Sequence, residues 1–273
     1  MDIFQQLILG MIQGIVEWLP FSSEGFLLLA NTHFFGEINL ELFLRQALFL
    51  HLGTFFAALI YFRKDVKELF HGMLNYSRAD PGEKRTIKFL AIATIISGVL
   101  GLALITFVKI FEQAQNIVFS SRIVTFIVGF FLIITGLLQI KSVKGGIRNV
   151  FHLNNTDSII TGIAQGFSVL PGLSRSGLTV SVLLLRNIND STALRLSFLL
   201  SLPIVLIGNI LWNFSDFVFM GDMLWGLLFS FLFGILTIHL LMRFAHKVKF
   251  GHFVLVIGTI MILSSFVSLP FLS

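Results

Sequence analysis

Pro171-Gly172-Leu173-Ser174-Arg175-Ser176-Gly177-Leu178-Thr179 lies between two short apolar arms, 159–170 and 178–185. Neither arm reaches the about 20 helical residues that ~30 Å of hydrocarbon requires. The polar centre therefore falls inside the membrane region, at the tip of a re-entrant hairpin. Irregular backbone at that depth is tolerated only where protein or a water-filled cavity covers it. A cation there costs roughly 3 kcal/mol on insertion scales, so Arg175 needs an anionic partner. Gly172 and Gly177 admit close backbone approach. Together with the hydroxyls of Ser174, Ser176 and Thr179 and the free N–H groups opening the second arm, they suit a phosphate. A carboxylate on a neighbouring helix is the plainer partner.

The rest of the chain agrees with a membrane setting. Of its 273 residues 56% are hydrophobic, 32 are Phe and 12% are charged, against about 25% charged in soluble domains. Mean hydropathy is +0.92. This is the composition of an all-α polytopic membrane protein. The net charge of +5 is read through its distribution along the chain and not as a signal for nucleic acid. With no cysteine, disulfides, thiol nucleophiles and cysteine–metal sites are excluded. Asp2, the lack of a basic leading segment, and Gln13 and Glu17 inside the first apolar run argue against a cleaved signal peptide.

The N-terminus repeats the design of the Arg175 region. An apolar arm, 3–16, breaks at Glu17-Trp18-Leu19-Pro20-Phe21-Ser22-Ser23-Glu24-Gly25 and resumes as a short arm, 26–35. Six longer apolar runs follow, at about 44–62, 89–108, 123–140, 196–214, 223–242 and 253–272, each long enough to span. Gly10, Gln13 and Gly14 recur as Gly162, Gln165 and Gly166, Leu19-Pro20 as Leu170-Pro171, and Leu44-Arg45 as Leu194-Arg195. The predicted architecture is six transmembrane helices plus two re-entrant helical hairpins. A first repeat, 1–140, holds hairpin 3–35; a linker, 141–156, leads to a second repeat, 157–273, with hairpin 159–186. Three spans per repeat invert the second half, an architecture that places the functional site at the repeat interface.

Lys and Arg test the topology. Fifteen of them fall in 63–88, in the linker and at 186, 195 and 243–249, against three (Arg45, Lys109 and Arg122) on the opposite side, with Arg175 between. The crowded side is the cytoplasm. Both termini then face outside, and the two hairpin tips enter from opposite sides to meet near the midplane. The polar segment 63–88 reads as a cytoplasmic amphipathic turn.

Glu17 and Gln13, four apart, share one helix face and could present oxygens to a cation or a water. Glu17 is the obvious partner for Arg175, either as a simple pair locking the hairpins or as part of a reactive centre. Ser22 and Ser23 are candidate nucleophiles or helix caps. Glu24 either joins the site or is a first-turn acid favoured by the helix dipole. His51 reads as a packing residue before a catalyst, and Trp18 as hairpin packing. Guanidinium and N–H groups to neutralise phosphate oxygens, a carboxylate base and a hydroxyl or water that attacks are the parts phosphoryl transfer needs. A membrane-embedded site implies a lipid substrate.

At these residues the chain resembles the undecaprenyl-diphosphatase family, also called the bacitracin-resistance family. That family is marked by a Glu/Gln-x-x-x-Glu motif, here Gln13-Gly14-Ile15-Val16-Glu17, and by Pro-Gly-x-Ser-Arg-Ser-x-x-Thr, here Pro171 to Thr179. The segments 19–23 and 51–54 and the overall length also match. The resemblance implies hydrolysis, on the outer face of the cell membrane, of a C55-type polyprenyl diphosphate to the monophosphate, recycling a lipid carrier. It implies Gln13 and Glu17 as metal-binding or base residues with Mg2+ or Ca2+, and Ser23 as nucleophile. Arg175 with Ser22, Gly172, Ser174, Ser176 and Thr179 would bind the diphosphate. Bacterial members usually carry His after Ser-Ser-Thr/Ser-Gly, where this chain has Phe26, which transfers no proton; Glu24 could compensate, or the member is a divergent, archaeal-type one. A flippase for polyprenyl phosphate and a non-catalytic relative are the competing readings. Oligomeric state stays open, a homodimer included.

Overall fold

A computed structural model describes residues 3–19, 21–35, 40–115, 121–142, 146–170, 172–213, 221–244 and 250–266. Pro20 and Pro171, at the two predicted breaks, lie outside the described residues. The described chain is all-helical. Its helices are α1 (Ile3–Val16), α2 (Ser23–Ala30), α3 (Leu40–Tyr61), α4 (Arg63–Leu74), α5 (Pro81–Gln115) and α6 (Ser121–Lys141), then α7 (Asn155–Phe167), α8 (Arg175–Leu185), α9 (Asp190–Asn213), α10 (Met223–Phe244) and α11 (Phe250–Phe266). One π-helical turn, Asn31–Phe35, continues α2.

Each predicted arm and span has a helix at its place, but the ends move where capping decides them. The predicted arm at 159 begins at 155, because Asn154 caps α7 and exchanges bonds with Asp157: the Asp157 N–H donates to Asn154 Oδ1 and the Asn154 N–H to Asp157 Oδ2, both at 3.0 Å. The predicted span at 89 begins eight residues early. Pro81 opens α5, Gly82 N–H donates to Asp80 Oδ2 at 2.9 Å, and Asp80 N–H donates to Glu83 Oε2 at 3.1 Å. Proline is pre-organised for that first helical position. At about 1.5 Å per residue, the 35 residues of α5 exceed the hydrocarbon thickness, so one end stands in polar surroundings.

Three helical stretches are long and apolar enough to cross a membrane: Pro81–Phe107, Asp190–Leu211 and Met223–Arg243; α3 with α4, bent by 83°, makes a fourth if taken as one span. Within α6 and α11 the apolar stretches Thr125–Lys141 and Gly251–Phe266 are shorter. The predicted amphipathic segment forms α4, which turns away from α3 and exposes Phe70, Met73 and Leu74. Asp65 on α4 pairs with Arg195 on α9.

Small residues set the helix contacts. α6 packs on α11 where a Cβ at Gly129 would lie 2.9 Å from the Gly258 carbonyl oxygen and one at Gly258 2.8 Å from that of Gly129. Close backbone approach of this kind is how apolar helices associate in lipid. Gly14 on α1 faces α10 at the Ser230 carbonyl, 2.7 Å from a notional Cβ, and Gly162 on α7 faces α5 at the Ala93 carbonyl, 2.9 Å away. The first arm of each hairpin is thereby held by a helix from the other half of the chain. One buried core gathers Trp18 from the first break, Phe62 from between α3 and α4, and Phe89, Leu183, Phe198 and Ile238 from α5, α8, α9 and α10.

Candidate active site

Both hairpin tips are built by the same local device. Ser22 takes an extended backbone (φ −84°, ψ 103°), and its Oγ accepts the Gly25 N–H at 3.1 Å, starting α2. Ser174 does likewise (φ −72°, ψ 118°), accepting the Gly177 N–H at 3.0 Å and starting α8. A serine three residues ahead of a glycine thus ends each break and satisfies one orphan donor of the next helix. Gly172 has φ 101°, a region closed to side chains, and a Cβ there would lie 2.7 Å from the Val128 carbonyl oxygen. The second tip can press onto α6 only because this residue is glycine.

The tips then bond to each other. Gly172 N–H donates to Ser22 Oγ at 2.9 Å, and Ser176 Oγ donates to the Leu19 carbonyl at 2.8 Å. Thr179 Oγ1 donates to the Arg175 carbonyl at 2.8 Å and shares a proton contact with Ser197 Oγ at 2.6 Å. Ser174 Oγ stands 3.3 Å from Ser176 Oγ. Of the groups expected to meet a phosphate, Gly172, Ser22, Ser174, Ser176 and Thr179 are all engaged within the protein. Their bonds brace the two tips.

Glu17 is the centre. Its side chain is 4% exposed and that of Arg175 13%. The Arg175 guanidinium pairs with Glu17 Oε1. Oε2 receives Ser23 Oγ at 2.7 Å, Gln13 Nε2 at 3.0 Å and His51 Nε2 at 3.1 Å. Arg175 Nη1 reaches the Ser197 carbonyl at 3.4 Å, and its guanidinium lies 5.7 Å over the Trp18 ring, within cation–π range. Trp18 meets Phe198 edge-on at 5.0 Å, so the packing reading of Trp18 holds and gains a second face toward the arginine. Glu24, half-buried on the first turn of α2, is close enough for its charge to act on Glu17, His51 and Arg175.

The structure therefore brings Gln13, Glu17, Ser23, Glu24 and Arg175 into one site. It separates the two serines: Ser22 caps and staples, while Ser23 alone points its hydroxyl at the carboxylate. His51 belongs to the site, where the sequence favours a packing role. The available signal was an ionisable residue inside an apolar span, which marks function by default.

The donor set bears on the expected divalent cation. Gln13 Oε1 is buried without a partner, one oxygen that a cation could use. Both oxygens of Glu17, however, already accept four donors, one of them a guanidinium. Among the described residues no group of three or more His, Asp or Glu is placed to hold a metal. A resident Mg2+ or Ca2+ on Gln13 and Glu17 does not fit this arrangement.

At the base of the second hairpin, Asp157 is fully buried between Arg148 Nη2 at 2.6 Å and Arg186 Nε at 2.7 Å. Burial pushes its carboxyl up, and the hydrogen bonds from Arg148 and Arg186 outweigh that, holding it below the usual range. This network fastens the linker to the hairpin.

The family model for Bacitracin resistance protein BacA matches residues 6–262. An undecaprenyl-diphosphatase of Methanococcoides burtonii is 40% identical over 271 residues, covering 97% of this chain and 99% of the relative. One of Haloarcula marismortui is 36% identical over 249 residues (89% and 90%), and one of Sulfurisphaera tokodaii 33% over 256 residues (90% and 91%).

Proposed function

The chain belongs to the bacitracin resistance protein family, and from that premise we propose that it hydrolyses a polyprenyl diphosphate of the undecaprenyl type to the monophosphate and phosphate, recycling a lipid carrier of cell-envelope glycan synthesis. The observation that carries this reading is Ser23 Oγ donating to a buried carboxylate at 2.7 Å, with Arg175 on that carboxylate's other oxygen. A carrier of polyprenyl phosphate needs the arginine but has no use for a nucleophile aimed at its base.

In the proposed reaction the diphosphate head group displaces part of the Arg175–Glu17 pair, and the guanidinium clamps phosphate oxygens in the fork geometry that suits it. Glu17 accepts the proton of Ser23, or of a water held by Ser23, as the new bond to the terminal phosphorus forms. The bridging P–O bond breaks, and the lipid monophosphate leaves with its electron pair. In the covalent version Glu17 first passes that proton to the departing monophosphate; water then attacks the phosphoserine phosphorus, and Glu17 takes the water's proton and returns it to Ser23 Oγ as the serine P–O bond breaks. Ser22 and Ser176 hold the two tips together, Ser174 caps α8 and Thr179 ties α8 to Ser197 of α9. No step is assigned to a metal.

Six spans with two re-entrant hairpins in inverted repeats, both termini outside and the site opening outward, form the topology proposed with this function. Support comes from the matched glycines, each arm packing on a helix of the other half, and from the matched serine caps. The lipid tail would lie between helices, in a monomer or a homodimer.

Phosphate release from the purified protein given a polyprenyl diphosphate, with and without EDTA, tests the reading. Ser23→Ala separates the two versions: the covalent route leaves almost nothing, the water route measurable turnover. Parent protein that releases no phosphate in any metal condition would refute the proposal.

A further inference from the structure

We infer that His51 is a positioning residue for Glu17, a role that rests on the phosphatase reading and deepens it. His51 Nδ1 lies 2.6 Å from the Ala47 carbonyl oxygen. A carbonyl only accepts, so Nδ1 carries a proton and the ring is pinned to its own helix. Nε2 then faces Glu17 Oε2 at 3.1 Å, the oxygen that also receives Ser23. The ring closes the third direction around Oε2, after Gln13 and Ser23, and so decides how the carboxylate presents its lone pairs to the serine.

The platform beneath the ring is rigid. Thr54 Oγ1 donates to the His51 carbonyl at 3.0 Å, and Ser230 Oγ of α10 donates to the Leu50 carbonyl at 2.7 Å. Gly53 allows this approach: a Cβ there would lie 2.6 Å from Ser230 Cβ. This turn of α3 is thus tied to α10, and the imidazole projects from it onto Glu17. Without the ring, Oε2 keeps Gln13 and Ser23 but loses its third donor, and the carboxylate can tilt away from the serine. Misplacing a reacting group by about 1 Å can lower a rate by roughly 10².

Full-length protein in detergent is assayed for phosphate release from a polyprenyl diphosphate, parent beside His51→Leu and His51→Gln, each checked for a monodisperse fold. His51→Leu is expected to lower kcat by about 10- to 100-fold and to leave KM within about threefold. His51→Gln, whose amide N–H can still reach Glu17, restores most of kcat. Should the leucine variant not fold, His51→Asn, too short to reach, replaces it. Parent kcat in the leucine variant overturns the inference, as does a glutamine variant no better than leucine, or a change confined to KM. A parent that releases no phosphate strikes the phosphatase reading itself. An active parent with an indifferent His51→Leu strikes only the role given to His51.

Discussion

Glu17→Gln keeps the shape of the side chain, yet the site cannot receive an amide neutrally. Gln13, Ser23 and His51 converge as donors on Oε2, and Arg175 on Oε1. An amide offers one acceptor oxygen, so its NH2 meets donors whichever way it turns. With the oxygen toward Ser23, the NH2 faces the guanidinium, and a buried charge without its counter-ion costs about 3–5 kcal/mol. With the amide reversed, up to three bonds are lost, at about 1–3 kcal/mol for each buried group left unsatisfied. The variant should therefore be less stable by about 3–5 kcal/mol. Its chemical step should fall roughly 10²-fold or more, as when a general base is removed. Thermal unfolding of the purified protein reads the first effect, single-turnover phosphate release the second, and binding of a non-hydrolysable lipid diphosphate shows that affinity falls far less. A folded Glu17→Gln that turns over at the parent rate would refute the base role and leave the carboxylate as Arg175's structural partner. Parent-like stability would refute the account of converging donors.

Arg175→Lys retains the charge but loses the fork, the reach to the Ser197 carbonyl and the guanidinium's place over Trp18; turnover should fall by about 10²-fold, the scale of losing one oriented donor to a developing charge, and near-normal phosphate release would sink the bidentate clamp. A cysteine introduced at position 75, just past α4, should resist an impermeant thiol reagent in intact cells and react once the membrane is opened; labelling from outside would reverse the topology. Asp157 has a folded-state carboxyl held below its ordinary value of 3.8, so its network stabilises fully above that value and the stabilisation is lost as pH falls below it. Asp157→Asn should flatten this acid-limb loss of thermal stability, and a pH–stability curve unchanged by the substitution would contradict the assignment.

The membrane class, the helix positions and the serine caps of α2 and α8 were legible in the chain, because each is a local property. Apolar run length against bilayer thickness marks spans and short arms. Ser22 with Gly25 and Ser174 with Gly177 are caps whose signal lies within one turn. Gln13 and Glu17, and the isolated Arg175, announce themselves because charge is costly at that depth. What the sequence could not supply is how each hydroxyl is used. Ser22 and Ser176 look as well suited to a phosphate as Ser23 does; their bonds to Gly172 and Leu19 exist only after the tips meet. His51 shows the same limit. Its spacing within α3 says nothing of Glu17, and the close approach of α3 to α10 at Gly53 and Ser230, together with the seat of α1, brings Nε2 to the carboxylate. Local chemistry is written in runs of a few residues. Which donors share one carboxylate depends on where separate helices come to rest, and that is decided only when their surfaces pack.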